Sequence, residues 1–354
     1  MSEDNKIWLY KELDSAKKFG VLEKYFDNSI IKENINQKFV LREYQREAFS
    51  RFIYYFEEYP DKKTPIHLLF NMATGSGKTL IMAGLILYLY KKGHRNFLFF
   101  VDSTNIIEKT KDNFLNNLSI KYLFNQKIII NNNEIKINKV DNFEGINNND
   151  INICFTTIQK LHSDLITEKE NSLTFEDFKN KKIVLLSDES HHTQGKTKQK
   201  KLKERDEEAT WENTVLKIFE QNSENLLLEF TATMDFVNEK VEEKYLSKVI
   251  YKYDLKNFRN DRYSKDVEIL KTDTDKKGRI LIALILNQYR QDIASKYGIT
   301  LKPVILFKAQ KTIAQSEENK LLFHEIINDL SKEDINEIKK KTDVRIIKRA
   351  FKFY

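Results

Sequence analysis

The 354-residue sequence contains a single cysteine, Cys154, and six histidines. One cysteine cannot form an internal disulfide, and without cysteine pairs the histidines have no spacing typical of a zinc site. This composition fits a reducing, cytoplasmic location. The opening residues, MSEDNKIWLYKELDSAKKFG, carry acids and amides where a signal peptide needs a basic start and an apolar core. No export signal is therefore expected.

The sequence also lacks an uninterrupted apolar run of the length needed to cross a membrane. Its most apolar stretch runs from Ile66 to Tyr90 and is broken by polar residues. These are Asn71, Thr74, Ser76, Lys78 and Thr79. A bilayer-spanning helix needs about 20 predominantly apolar residues, so the stretch is interpreted as globular structure and no membrane partner is expected.

The overall composition is that of a globular protein, with 40% hydrophobic and 32% charged residues. The length allows about two domains of roughly 150 residues each. The net charge of +7 suits a polyanionic partner such as nucleic acid, but lysine-rich proteins without such a partner have similar charge. Charge alone therefore leaves the partner open.

Short apolar runs alternate with helical stretches from Phe39 to about Phe236, which predicts an α/β fold with a parallel sheet covered on both faces. The runs are IHLLF at Ile66, FLFFV at Phe97, INICFTTI at Ile151, KIVLLSDES at Lys182 and LLLEFTAT at Leu226. The Asn-rich segment from Tyr122 to Asp150 is interpreted as a surface insertion, whose core KIIINNNEIKI could form an edge hairpin.

The segments on either side of this pattern have weaker signals. Residues 1–37 are charged, with apolar residues at loose helical spacing, and predict a helical extension. After Val237, the text YLSKVIYKYDLKNF is interpreted as an interdomain crossing. A second α/β pattern then follows, with a helix from Arg279 to Lys296, a strand PVILFK beginning at Pro303 and a helix from Gln315 to Leu330.

The segment MATGSGKT, ending at Thr79, lies between a predicted strand and an apolar helix and is typical of a phosphate-binding loop. Glycines allow the backbone to turn so that its N–H groups face phosphate, and the helix N-terminus favours an anion. Lys78 is expected to contact the β and γ phosphates of ATP, and the Thr79 hydroxyl to ligate Mg²⁺. The predicted loop contacts are Thr74, Gly75, Ser76, Gly77, Lys78 and Thr79. The strict loop pattern fails at its first position, which is Met72.

Two adjacent carboxylates follow a buried-type strand in the segment SDESHH. Ligands of open α/β sheets bind at the carboxyl ends of strands. We therefore expect Asp188 to hold Mg²⁺ and Glu189 to activate the attacking water. A helix N-cap at Asp188, or a metal site at His191 and His192, are the alternative interpretations.

The order MATGSGKT, DESHH and then TAT at Thr231 to Thr233 resembles motifs I, II and III of superfamily 2 DEAD/DEAH-type helicases. The segment LREYQREAF resembles the glutamine-bearing element upstream of motif I. The resemblance implies two RecA-like domains, ATP and Mg²⁺ as cofactors, and further site residues. By this resemblance, Gln45 reads the adenine edge with help from Arg42, His191 links nucleotide state to motif III, and Thr231 and Thr233 couple ATP to movement.

Three further passages resemble Res subunits of type III restriction enzymes, namely FFVDSTNIIEKTKDNF, YDLKNFRNDRYSKDV and KPVILFKAQKTIAQSEEN. This implies DNA and a modification methyltransferase (Mod) subunit as partners. The implied DNA-contact residues are Ser103, Thr104, Thr156, Thr157 and Lys308, although each hydroxyl could instead cap a helix. The implied domains are a helical extension at 1–37, a RecA-like ATP-binding domain at 38–250, and a crossover with a partial second RecA-like domain at 251–354.

Nothing after Phe307 resembles motif V or VI, and no nuclease cluster is recognisable, so the sequence resembles an amino-terminal fragment of a Res subunit. The expected function is the ATP-dependent DNA translocase or helicase motor of such a subunit. The alternatives are a stand-alone superfamily 2 helicase, a nucleotide- or partner-binding module with little turnover, and, more distantly, a metabolic P-loop kinase. The kinase interpretation does not explain TAT or LREYQREAF.

Overall fold

A computed structural model describes residues 7–167, 172–188, 202–265, 268–309 and 312–354, with side chains left undescribed at 202–210. The chain divides into two compact units, Met1–Lys265 and Asp266–Tyr354. The first unit contains every strand assigned in the described residues. The second contains helices.

Seven parallel strands form the sheet of the first unit, in the order β5-β6-β2-β7-β8-β1-β9. A separate antiparallel hairpin pairs β3 with β4. The strands are β1 Ile66–Met72, β2 Asn96–Val101, β3 Ile128–Ile130, β4 Asn133–Ile135, β5 Ile137–Val140, β6 Ile151–Thr157, β7 Ile183–Asp188, β8 Leu226–Thr231 and β9 Val249–Tyr253. The predicted α/β class with a parallel sheet is confirmed.

Helices connect these strands and cover both faces of the sheet, because a parallel pair needs a crossover connection. A 3₁₀ turn at Glu23–Tyr25 separates the first two helices. The first-unit helices are α1 Leu9–Lys18, α2 Ser29–Asn34, α3 Glu43–Glu57, α4 Lys78–Lys91, α5 Thr104–Leu115, α6 Ile158–Ile166, α7 Phe175–Asn180, α8 Leu202–Phe219, α9 Glu239–Tyr245 and α10 Leu255–Asn260. The second-unit helices are α11 Lys276–Lys296, α12 Ile313–Asn328, α13 Lys332–Lys341 and α14 Arg345–Phe353.

The hydrophobic core lies on the two faces of the sheet. Along β2, Phe97 and Phe99 point into one buried cluster, while Leu98 and Phe100 point into the other. This follows from the two-residue period of a strand, and it explains why the strand reads as a continuous apolar run.

Arg51 ties the N-terminal helices to the sheet. Its side chain is 2% exposed and contacts α1, through Asp14 and the Tyr10 carbonyl oxygen, and the β9 carbonyl of Ile250. Glu47, one turn earlier on α3, accepts from Arg51 at 2.7 Å. Such a fully buried guanidinium needs this set of acceptors, because an unpaired buried charge is strongly destabilising.

Three local expectations differ from the structure. The segment interpreted as an interdomain crossing contributes the edge strand β9, which pairs with β1. The segment 122–150 forms the hairpin that its KIIINNNEIKI core allowed, but it is more than a surface insertion, because it also supplies β5, the other edge strand. The strand predicted from Pro303 is not formed. A strand needs a partner, and the described residues of the second unit offer none.

Candidate nucleotide site

The predicted phosphate loop connects β1 to α4 at the carboxyl edge of the sheet. Gly75 and Gly77 have φ of 80° and 87°, the left-handed region that glycine adopts without strain. The N–H of Ser76 donates to the Ala73 carbonyl oxygen at 3.1 Å and closes the turn. Gly77 is then the N-cap of α4, which leaves the helix N-terminus open to an anion.

The side chains predicted to contact nucleotide lie around this loop. Thr74 is exposed, and Lys78 and Thr79, in the first turn of α4, are partly exposed. The Ser76 hydroxyl is buried and has no hydrogen-bond partner among the described residues. A curled backbone, an open helix N-terminus and the ammonium group of Lys78 beside it fit a phosphate chain with its Mg²⁺.

Two side chains of α3 donate hydrogen bonds to the Ser76 carbonyl oxygen. Gln45 Nε2 donates to it at 2.9 Å and the Tyr44 hydroxyl at 2.8 Å. The other end of the Gln45 amide accepts from the Arg42 backbone N–H at 3.0 Å. The structure therefore gives Gln45 a contact with the loop backbone, and its reading of adenine stays a prediction. Sequence reasoning missed Tyr44, although it is adjacent to Gln45 in LREYQREAF.

A groove of about 450 Å³ brings the loop together with the upstream element. Gly75, Ser76, Gly77 and Thr79 line it, as do the predicted base contacts Arg42 and Gln45. Phe39, Asn113 and Lys121 line it too. None of these three was recognised in the sequence, since their proximity depends on packing between elements distant along the chain.

Asp188 ends β7 at the same edge of the sheet as the loop. It is paired in register with Phe230 of β8, and the next residue, Thr231, is paired with Asn71 of β1. Since neighbouring strands are about 4.8 Å apart, Asp188 is two strands, roughly 10 Å, from the strand that carries the loop. This placement suits a metal-shell carboxylate. Glu189, His191 and His192 lie outside the described residues.

Thr231 and Thr233 form a local turn after β8. The Thr231 hydroxyl donates to the Thr233 carbonyl oxygen at 3.0 Å and accepts from the Thr233 N–H at 3.2 Å. Thr231 is fully buried. These bonds fix the conformation of the segment directly beside the loop-bearing strand, and a coupling role stays a prediction.

A buried ionisable pair crosses from β1 to β8. His67 Nε2 on β1 lies 2.6 Å from Glu229 Oε2 on β8, two residues before Thr231. Burial lowers the pKa of His67, so the ring is neutral at pH 7 and donates to the carboxylate. No sequence pattern predicts this pair, because each residue alone is only a polar interruption of an apolar strand.

The predicted DNA-contact hydroxyls lie at the ends of β2 and β6, which are neighbours in the sheet. Thr157 caps α6 by accepting from the Lys160 N–H at 3.2 Å, and Thr156 is buried and donates to the Thr157 carbonyl oxygen. Ser103 is the N-cap residue of α5 without a side-chain bond to that helix, and Thr104 is exposed. Capping thus occupies Thr157, whereas among the described residues no hydrogen bond engages the Ser103 or Thr104 hydroxyl, and DNA contact stays a prediction. Lys308 is exposed and belongs to the second unit.

A model of the family described as type III restriction enzyme, res subunit, matches residues 38–236. That range contains the phosphate loop, Asp188 and Thr231. The chain belongs to the type III restriction enzyme Res subunit family. Membership supports an enzyme of a restriction-modification system, as the resemblance of the sequence motifs predicts.

This Res-family chain is 42% identical over 313 residues to the probable type III restriction-modification enzyme HindVIP Res subunit of Haemophilus influenzae. The match covers 81% of the chain and 60% of that protein. The chain thus spans about 60% of the length of this curated relative.

Two solved helicase structures resemble parts of the Res-family chain. The Pyrococcus furiosus Hef helicase domain is 14% identical with a TM-score of 0.37, covering 79% of this chain and 54% of that one. The UvsW helicase of bacteriophage T4 is 16% identical with a TM-score of 0.37, covering 69% and 76%. These scores are low, and the family assignment rests on the sequence match. In the described part of the chain, no helix is both long and apolar enough to span a membrane.

Proposed function

We propose that the chain binds ATP with Mg²⁺ and forms the ATP-binding half of a DNA translocase motor in a type III restriction enzyme. The observation that carries the proposal is the phosphate loop, whose Ser76 carbonyl is held from behind by Gln45 and Tyr44. Left-handed Gly75 and Gly77 turn the loop around an open helix N-terminus, the arrangement that binds phosphate.

The residues at the carboxyl edge of the sheet have separate roles. Lys78 neutralises the β and γ phosphates, while Thr79 and Asp188 hold Mg²⁺, whose charge when bound stabilises the transferring phosphoryl group. Glu189 orients the attacking water and accepts its proton. The groove that contains Arg42, Gln45 and Phe39 takes the base.

DNA and the Mod subunit are proposed partners on a different basis. Ser103 and Thr104 at the end of β2 present hydroxyls at the carboxyl edge of the sheet, where they contact the sugar-phosphate backbone of DNA. The curated relative is a Res subunit of a restriction-modification enzyme, so a modification methyltransferase is the expected source of sequence recognition. Thr231 and Thr233 couple the nucleotide to movement on DNA, and the protein acts in the cytoplasm.

Calorimetry with ATP and Mg²⁺ tests the ATP proposal directly. Lys78→Ala removes a charged hydrogen bond to phosphate, so affinity should fall by roughly 10- to 100-fold, while the circular dichroism spectrum and melting temperature stay unchanged. The matched control is Lys91→Ala, at the exposed far end of the same helix α4, which should bind as the wild type does. Equal affinity of both variants and the wild type would reject the phosphate-loop assignment.

A second experiment distinguishes the translocase from a stand-alone helicase or a binding module. Phosphate release is measured with duplex DNA, with RNA and with neither, each with and without the Mod subunit. A DNA translocase working with Mod responds to DNA and not to RNA. Stimulation by RNA favours the stand-alone helicase, and nucleotide binding without stimulated turnover favours the binding module.

A further inference from the structure

Tyr44 connects the phosphate loop to the last segment of the first unit. Its ring is 3% exposed and stacks on Tyr253 at 4.3 Å between centroids, with the planes 12° apart. Phe258 and Tyr263 contact the same ring edge-on at 5.9 and 5.3 Å. Its hydroxyl donates to the Ser76 carbonyl oxygen. One side chain thus touches the loop and three aromatic residues that lie far along the chain.

Those three aromatic residues belong to β9 and to residues 254–265, here called the exit segment, after which the chain continues into the second unit at Asp266. Tyr253, the last residue of β9, donates its hydroxyl to Asp261 at 2.7 Å. The Tyr263 N–H donates to the Phe258 carbonyl oxygen at 3.0 Å. The exit segment is therefore folded back against the ring of Tyr44.

The backbone at Arg262 shows that this fold-back is held in place. Arg262 has φ of 62°, a left-handed conformation that is unfavourable for a non-glycine residue. This conformation ends α10 and directs Tyr263 to the guanidinium of Arg42, which lies 4.4 Å from the ring centroid. Arg42 and Tyr44 on one side and Tyr263 on the other thus form a contact between the loop-holding element and the exit segment.

The hydrogen bonds to the Ser76 carbonyl oxygen also orient an N–H group that can donate to phosphate. A trans peptide unit places its C=O and N–H on opposite sides. With the Ser76 oxygen directed at Tyr44 and Gln45, the N–H of Gly77 points away from both of them. Tyr44 therefore fixes the orientation of an N–H in the loop that binds phosphate.

We propose that Tyr44 is a positioning residue that aligns the phosphate loop and links its occupancy to the order of the exit segment. The inference rests on the proposed ATP site. When phosphate binds to the loop, the Ser76 peptide unit moves against the Tyr44 hydroxyl. The stacked rings transmit this displacement to Tyr253 and the exit segment. Because linkage is reciprocal, loosening the exit segment must weaken nucleotide binding.

Tyr44→Phe tests the positioning role, since it removes the hydroxyl and keeps the ring stack. Gln45 still donates to the Ser76 oxygen, so affinity for ATP with Mg²⁺ should fall only by roughly three- to tenfold. The matched control is Tyr90→Phe. Tyr90 is also buried and also donates to a backbone carbonyl, that of Asn149 at 2.6 Å, so it should lose similar thermal stability and no affinity. Equal affinity of the two variants would overturn the positioning role.

Hydrogen exchange followed by mass spectrometry tests the link to the exit segment without any nucleotide. Tyr44→Phe should speed exchange both in residues 73–81 and in residues 254–265, and Tyr90→Phe in neither. Tyr253→Phe removes the side-chain bond to Asp261 and leaves in place the bond from the Ala73 N–H to the Tyr253 backbone carbonyl oxygen, yet it should also speed exchange in residues 74–81. If it speeds exchange in residues 254–265 alone, the link is wrong. Failure of the wild type to bind ATP would reject the proposed function, and the exchange comparison would still decide the link.

Discussion

A β-carbon on Gly77 would lie 2.6 Å from Nε2 of Gln45, the atom that donates to the Ser76 carbonyl oxygen. Gly75, two residues earlier, has a similar left-handed φ but nothing within 4 Å of the same position. The two glycines therefore share a backbone requirement, and only Gly77 also has a steric one.

We expect Gly77→Ala to weaken ATP binding at least roughly tenfold more than Gly75→Ala. Both variants bear the cost of a left-handed alanine, about 1–2 kcal/mol. Only Gly77→Ala also displaces the Gln45 amide and releases the Ser76 carbonyl. Calorimetry on the two variants measures the difference in affinity for ATP. Equal losses of affinity would show that the close approach of Gln45 to Gly77 does not affect ATP binding.

Gln45→Ala should reduce the preference for ATP over GTP if the amide reads the adenine edge, because an amide can donate and accept at once. In the structure both ends of the amide are bonded to protein, to Ser76 and to Arg42. Reading the base therefore requires the amide to exchange a partner. Affinities for ATP and GTP are compared before and after the substitution. An equal fall for both nucleotides would assign Gln45 to holding the loop alone.

Glu189→Gln and Asp188→Asn should separate proton transfer from metal binding. Glu189→Gln keeps the shape of the side chain and should retain ATP and Mg²⁺ while lowering hydrolysis by roughly 100-fold or more, as loss of a general base does. Asp188→Asn should instead weaken the Mg²⁺ dependence of ATP binding. Binding is measured by calorimetry and hydrolysis by phosphate release. Loss of ATP binding in Glu189→Gln would mean that the two carboxylates have been assigned the wrong roles.

His94 should make the protein less stable in mild acid. Burial lowers the pKa of its ring from 6.5 to about 4. As pH falls below 6.5, the unfolded chain takes up the proton before the folded one does, so stability present at neutral pH is lost. The loss should reach about 2 kcal/mol at pH 5.

Thermal unfolding at pH 7.5 and pH 5 measures this effect in His94→Gln, which should lose part of the acid-side decrease. His324→Gln alters an exposed histidine and should retain the decrease. Identical pH dependence in His94→Gln and the wild type would show that His94 does not contribute to it.

Local sequence was enough to predict a glycine turn between a strand and a helix at 73–78, and to place Asp188 at the end of a strand. The left-handed backbone of Gly75 and Gly77 and the position of Lys78 at a helix start are local features, which neighbouring residues determine. Asp188 follows a strand whose apolar run is unambiguous, and parallel strands place their carboxyl ends at one edge. The parallel α/β class was predictable for the same reason, since strand and helix periods are local properties.

What the tertiary structure decided were the contacts between segments far apart in the chain. Tyr44 meets Ser76 and Tyr253 only because α3, the loop and β9 pack together, and no periodic pattern encodes that meeting. The short run Val249–Tyr253 becomes a strand because the edge of β1 is available to it. The more strongly apolar run from Pro303 does not, since the described residues of its unit offer no partner strand. Side-chain chemistry and local periodicity can be obtained from the sequence alone. Hydrogen-bond partners between strands and across the loop are determined only when the chain packs.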